Sequence, residues 1–308
     1  MQKGILRKAV LLIAVATGVS WVDAAEALPL SDLVRNLSQC LHRGSWFRDR
    51  SDYYQRFYME RFKGRSAEAA GNVPFYRRLS VALVSPTPKG EVIARLVYDT
   101  DGNMKPKEVR PSSRNVFGAP GFLELVFFPL YPELVSSYEI MDLGASSVSG
   151  RETRMLRLLP LPGAEKKPLV EGVFHVEPDT GRPVRLTVTR LHNFEALDSK
   201  LKKLFEFKCE LDFRTLPNEV SVPWRCKGSG YSEIMRWNGF FTFTFQEWDY
   251  RPCSLPQYAD VKTWFEKLQG FSDPAPPDTP LPADRLPEAT ETEPTTPAET
   301  DLSDGSER

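Results

Sequence analysis

A chain of 308 residues with 40 lysines and arginines against 41 aspartates and glutamates carries a net charge of −1, so there is no basic excess of the kind that meets a nucleic-acid backbone. The chain has three histidines, no Gly-x-Ser-x-Gly elbow and no phosphate-cradling glycine loop. No catalytic constellation and no cofactor are therefore expected, and the chain is not read as an enzyme.

Residues 1–27, MQKGILRKAVLLIAVATGVSWVDAAEA, have a basic start (Lys3, Arg7, Lys8), an apolar run from Ala9 to Val22 and small residues at Ala25 and Ala27. This is the three-part layout of a secretory signal, with cleavage expected after Ala27 or Ala24. The apolar run is shorter than the roughly 20 residues that span a bilayer. The expected location is the periplasm or the exterior, with no transmembrane span left after cleavage.

From Leu30 the chain reads as an amphipathic helix, with Leu30, Leu33, Val34, Leu37 and Leu41 at helical spacing, Ser31 or Asp32 as cap and Gly44 as its end. Asn36-Leu37-Ser38 matches a glycosylation sequon but falls inside that helix. Residues 46–62 are crowded with aromatics: Tyr54, Phe57, Tyr58 and Phe62 suit one helical face, and a strand fits as well. Strands are expected at 75–85 and 91–99, joined by a turn at Pro86–Gly90, with a second turn at Asp99–Asn103 and a crossing loop over 104–120. The segment FLELVFF, 122–128, is followed by Pro129 and Pro132, which break any helix it starts. It suits a buried segment lying across a sheet, with an apolar flap over a pocket as the other reading.

Strands resume at 137–144, 153–161, 169–178 and 182–191. Folding about Asp179-Thr180-Gly181 sets Val176 opposite Val184 and Phe174 opposite Leu186. The cleanest alternation is LFEFKCELDF, 204–213, where Phe205, Phe207, Cys209, Leu211 and Phe213 share one face, and its return run puts Val220, Val222, Trp224 and Cys226 on one face. A turn at 216–219 would set Cys209 opposite Cys226, Leu211 opposite Trp224 and Phe213 opposite Val222. Phe241, Phe243 and Phe245 alternate likewise, and Tyr258, Val261, Trp264, Phe265 and Leu268 suit a short closing helix over 255–270. From 271 to 308 the composition turns to Pro, Thr, Glu and Asp with few large apolar residues; a disordered acidic tail is expected.

In an oxidising compartment four cysteines suggest disulfides. The hairpin register favours Cys209 with Cys226, because directly opposed residues sit ~4.5 to 5.5 Å apart at Cα. Cys40 is left with Cys253. The alternative is four buried free thiols. No CxxC pair supports zinc. His175 shares a polar strand face with Glu171 and Glu177, and a solvated face is preferred to a metal site. GASSVSG and KGSGYS read as serine-rich turns, and Arg151, Arg154 and Arg157 as outward strand positions.

The order of elements, together with FFPLYPELVSSYEIMDLG, SGRETRMLRLLPLPG and VFHVEPDTGRPVRLTVT, resembles the lipoprotein-carrier fold of the LolA, LolB and RseB group and bacterial outer-membrane lipoprotein-sorting proteins, over roughly residues 30 to 252. The resemblance implies a mainly β (α+β) fold over 28–270, an antiparallel half-barrel sheet with an N-terminal and a C-terminal helix packed on it. It also implies a concave apolar face that receives acyl chains, with binding rather than catalysis as the chemistry. The expected wall is Phe205, Phe207, Leu211, Phe213, Val222, Trp224, Phe241, Phe243 and Phe245, against a lipid, a lipoprotein acyl chain or another apolar ligand. Taken singly, each of these residues is first of all a core residue, and a filled core would make the protein an envelope scaffold partnered by other envelope proteins.

Overall fold

The computed structural model describes residues 28–279 except 90, 110–120, 165, 234–237, 272 and 278. The expected signal sequence and nearly all of the expected acidic tail lie outside the described residues.

The architecture is one open ten-stranded antiparallel sheet, a half-barrel with few helices. The strands are β1 (Ser51–Phe62), β2 (Tyr76–Pro86), β3 (Val92–Asp99), β4 (Tyr138–Val148), β5 (Arg151–Pro160), β6 (Leu169–Val176), β7 (Pro183–His192), β8 (Leu204–Thr215), β9 (Ser221–Ser232) and β10 (Gly239–Pro252). Their spatial order is β3-β2-β1-β10-β9-β8-β7-β6-β5-β4. Two hairpin-linked series, β1 to β3 and β4 to β10, thus join where the first strand pairs with the last, Phe57 facing Phe245.

Helix α1 (Leu30–Arg48) lies on the inner face and buries Leu33, Leu37 and Leu41. It starts one residue before Ser31, so Ser31 and Asp32 sit in its first turn, and its N-cap Pro29 makes no side-chain cap. Gly44 does not end it. A Cβ there would stand 2.2 Å from the Ser221 carbonyl oxygen, so this glycine is what lets the helix lie directly on β9. The helix runs on to Arg48.

The aromatic stretch after α1 is a strand, β1. It is central, and both of its faces are covered: Phe57 and Met59 belong to the main core, whereas Tyr54 packs with Val81 and Trp248 in a separate cluster. A strand buried on both sides loses the alternation that identifies a half-buried one. The serine-rich runs expected as turns are largely strand, ending β4 and forming the second half of β9. Gly228 and Gly230 in β9 face Phe243 and Phe241, and a Cβ at either would meet those rings at 2.4 and 2.8 Å. The missing side chains at these two glycines thus leave room for the rings over β9.

The segment 122–135 forms two short helices, α2 (Phe122–Phe127) and α3 (Pro132–Val135), with Pro at the start of the second. Phe127, Phe128 and Leu130 are at most 1% exposed, so the segment lies buried across the sheet. The closing helix is shorter than expected: a 3₁₀ stretch Pro256–Val261, broken at Tyr258, leads into α4 (Lys262–Glu266). It covers a second core of Phe47, Tyr53, Val220, Val222, Tyr250 and Phe265 at the C-terminal end of α1.

Candidate functional site: the covered inner face

The inner face is apolar across β1, β5 to β8 and β10, where Phe57, Leu156, Phe174, Leu186, Phe207, Leu211, Phe213, Phe243 and Phe245 belong to one buried cluster with α1 and the 122–130 segment. Of the expected wall, Phe207, Leu211, Phe213, Phe241, Phe243 and Phe245 lie in this cluster, and Val222 lies in the second core. The rings interlock. Phe207 stacks on Phe243 at 5.7 Å, and Phe174 approaches Phe213 at 6.2 Å. The 122–130 segment adds its own rings, Phe122 edge-on to Phe207 at 5.6 Å and Phe127 against Phe245 at 5.2 Å.

Two wall residues are not on this face. Phe205 is 43% exposed and Trp224 40% exposed. The pairing of β8 with β9 shifts between Phe205 and Lys208 and again between Asp212 and Phe213, and each extra residue turns the side chains beyond it to the other face. At the first irregularity Glu206 takes a left-handed φ of 54°. At the second, Phe213 faces Pro223, Asp212 faces Arg225, and Trp224 is the unpaired residue between them. Pro223 has no N–H to give to a ladder, which is why an irregularity sits there. Trp224 points outward under the Arg225 guanidinium, 5.4 Å from the ring centroid.

The expected register fails from the turn onward: Phe213 faces Pro223 rather than Val222, and the extra residue Trp224, expected opposite Leu211, adds a second step before the cysteines. Cys226 faces Leu211 and Cys209 faces Gly228. The pair is diagonal, approaches to 3.8 Å, and all four cysteines are free thiols, Cys40 half-buried on α1 and Cys253 buried after β10. A hydrogen bond with Cys209, then burial, pushes the Cys226 thiol well up from its ordinary value. In the neighbouring hairpin Phe174 faces Leu186 as read from the sequence, while a register shift puts Val176 opposite Pro183 rather than Val184. Among the described residues no group of three His, Cys, Asp or Glu side chains gathers as metal ligands. His175 contacts Thr153 Oγ1 at 3.3 Å, Glu171 is shared by Arg157 and His192, and Glu177 is held by Arg151 and Thr180.

One polar cluster stands in this apolar setting, and it ties the cover to the sheet. Arg48, the last residue of α1, donates from Nε to both oxygens of Glu247 at 3.0 and 3.1 Å, and from an η nitrogen to Glu124 at 2.9 Å. Glu247 on β10 is fully buried and also accepts from Gln55 at 3.2 Å and from the Tyr250 hydroxyl at 2.6 Å. Glu124, in the middle of α2, accepts from Tyr131 at 2.6 Å and from Ser45 at 2.5 Å. A lone pair of a buried carboxylate that lacks a donor is costly, and Glu247 has three donor groups around it, Arg48, Gln55 and Tyr250, with Arg48 reaching both oxygens. Burial alone would pull the Arg48 pKa down, but Glu247, Tyr53 and Glu124 together hold it well above the ordinary arginine value. Burial, then the Glu124 charge, pushes the Tyr131 hydroxyl up, which keeps it a donor. Sequence reading missed this cluster. Its one local signal is Glu124, a lone charge inside FLELVFF; Arg48 lies 76 residues from Glu124 and 199 from Glu247 along the chain.

No helix among the described residues is long and apolar enough to cross a membrane. No family model and no curated protein matches the chain. Among solved structures it is similar to a DUF1329 family protein from Desulfovibrio piger, at 13% identity over 75% of this chain and 96% of that one, with a TM-score of 0.35. It is similar to a LolA superfamily protein from Nitrosomonas europaea at 12% identity over 72% and 95%, with a TM-score of 0.33. It is also similar to a putative outer membrane lipoprotein-sorting protein domain from Vibrio parahaemolyticus at 10% identity over 75% and 97%, with a TM-score of 0.36.

Proposed function

We propose that this is an exported cell-envelope protein that binds a lipid, a lipoprotein acyl chain or another apolar ligand on the inner face of its half-barrel, with residues 122–135 as the cover that gives way to the ligand. The supporting observation is the composition of the contact between cover and sheet. Phe122, Phe127 and Phe128 supply apolar area, and the only charge in the segment's first helix, Glu124, fastens it to α1. Burial of apolar surface is non-directional, at ~25 cal/mol for each Å² whichever apolar group does the covering. Exchange of a phenylalanine-rich segment for an acyl chain is therefore close to balanced on the apolar side. The cost of opening falls on the Glu124 contacts, and two helices of six and four residues have little internal stability to hold the segment in place.

The second reading is an envelope scaffold with a filled sheet, favoured by the completeness of the core beneath Phe127, Phe128 and Leu130. Titration of the purified protein with a fluorescent long-chain fatty acid separates the two. Saturable binding at one chain per protein, weakened by Phe207→Ala, supports the carrier reading; no saturable binding supports the scaffold.

A further inference from the structure

Strands β7 and β8 part company halfway along. Their ladder runs only from Arg185–Asp212 to Val188–Cys209, yet β7 stays paired with β6 as far as His192, and β8 with β9 from Leu204 onward. The result is a fork at one end of the sheet, and a concavity of about 540 Å³ occupies it. The left-handed bulge at Glu206 turns Phe205 out of the core and into the fork, 6.3 Å from Tyr231. The Arg65 guanidinium carbon lies 5.5 Å from the centroid of the same tyrosine ring.

Arg65, Arg190, Glu206 and Glu233 all line the fork, and among the described residues none of the four has an ion-pair partner. Arg154 by contrast pairs with Asp142, Arg185 and Arg225 with Asp212, and Arg251 with Asp249. Two guanidiniums and two carboxylates, all exposed, thus line one concavity beside two aromatic rings without pairing with one another.

We propose that the β7–β8 fork binds a zwitterionic phosphate–ammonium group of the phosphoethanolamine kind. Planar guanidinium donors suit phosphate oxygens in pairs, the carboxylates face the ammonium, and Phe205 and Tyr231 cover the methylenes between. The group can come from a lipid headgroup or from a free small molecule. The concavity adjoins the inner face through Phe207, and the O-phosphoethanolamine arm of its test carries no acyl chain, so it is read independently of uptake on that face.

The test is calorimetric titration of the full chain with three probes: O-phosphoethanolamine, dihexanoylphosphatidylethanolamine and dihexanoylphosphatidylglycerol. Saturable binding of O-phosphoethanolamine supports the free-molecule source, and binding of the ethanolamine lipid alone supports the headgroup source. In either case Arg190→Ala and Glu233→Gln, both changes at the surface, should each weaken binding by roughly tenfold or more, as loss of a charge-assisted contact does. The glycerol lipid, which lacks the ammonium, should bind weaker by a similar factor. Circular dichroism of each variant checks that the fold is kept. Absence of binding by both ethanolamine probes, equal binding of the glycerol lipid, or unchanged affinity in the two folded variants would overturn the proposal.

Discussion

Arg48 and Glu247 stand 199 residues apart in the chain and meet inside the protein, with the guanidinium Nε shared between both carboxylate oxygens. The pair ties the end of α1 to β10 and, through Glu124, to the cover. Removing one member leaves the other buried and unpaired, which costs ~3 to 5 kcal/mol, whereas replacing both with well-packed apolar groups is often close to neutral. Glu247→Leu alone should therefore lower the urea midpoint sharply, and Arg48→Met with Glu247→Leu should recover most of it. If the double variant is as unstable as the single one, the pair is not acting as a unit.

Glu124 is the polar fastening of the cover. Glu124→Gln keeps its shape and removes its charge, and charged hydrogen bonds contribute ~1.5 to 3 kcal/mol each. Hydrogen exchange in residues 122–135 should quicken while that of β8 to β10 stays slow. Uniform change across the chain would mean that the segment is an ordinary part of the core.

The close approach of α1 to β9 gives a prediction opposite in sign to helix propensity. Alanine is the better helix former by ~1 kcal/mol, yet a Cβ at residue 44 meets the Ser221 carbonyl at 2.2 Å, and overpacking costs ~1 to 3 kcal/mol. Gly44→Ala should lower the melting temperature. A rise would show that the helix can lift off the strand freely.

Asp49, which caps the C-terminal end of α1, has its carboxyl pushed from 3.8 to about 6, by burial first and then by the Glu124 charge, with Arg48 and Arg50 opposing. A negative charge at a helix C-terminus is also disfavoured by the helix dipole. The folded protein thus holds this proton at pH values where the unfolded chain has lost it. Stability contributed here is present at low pH and falls as pH rises from about 4 to about 6. Asp49→Asn should melt higher than the parent at pH 7.5, with the difference gone near pH 4. A difference independent of pH would rule out this titration.

Much of the fold was legible because strands with one buried face announce themselves. The alternation of Phe241, Phe243 and Phe245 and the Gly181 turn placed β10 and the β6–β7 hairpin directly. What escaped is what a period cannot encode. One extra residue at Glu206 turns Phe205 outward, and another at Trp224, added to a one-residue offset at the turn, turns Trp224 outward and moves Cys226 off Cys209; Pro223 was the visible warning. β1 was ambiguous because a central strand buried on both faces has no polar side to alternate with. The Arg48–Glu247–Glu124 cluster was invisible because its members are local to nothing but each other in space.

The same bulges make a prediction about thiol chemistry. Cys226 is buried, with its thiol raised by its contact with Cys209, whereas Cys40 is half-buried. The thiolate is the reactive form, so brief alkylation of the native protein should label Cys40 ahead of Cys226 in peptide maps. The reverse order would place Cys226 in a more open setting than the one described.

Uptake of an apolar ligand on the inner face by displacement of the cover can be read from native mass spectrometry of the protein purified without detergent or organic solvent. A population heavier than the bare chain by the mass of a lipid or acyl species is expected, and it should disappear on delipidation. A single peak at the mass of the bare chain, unchanged after incubation with lipid, would contradict such uptake.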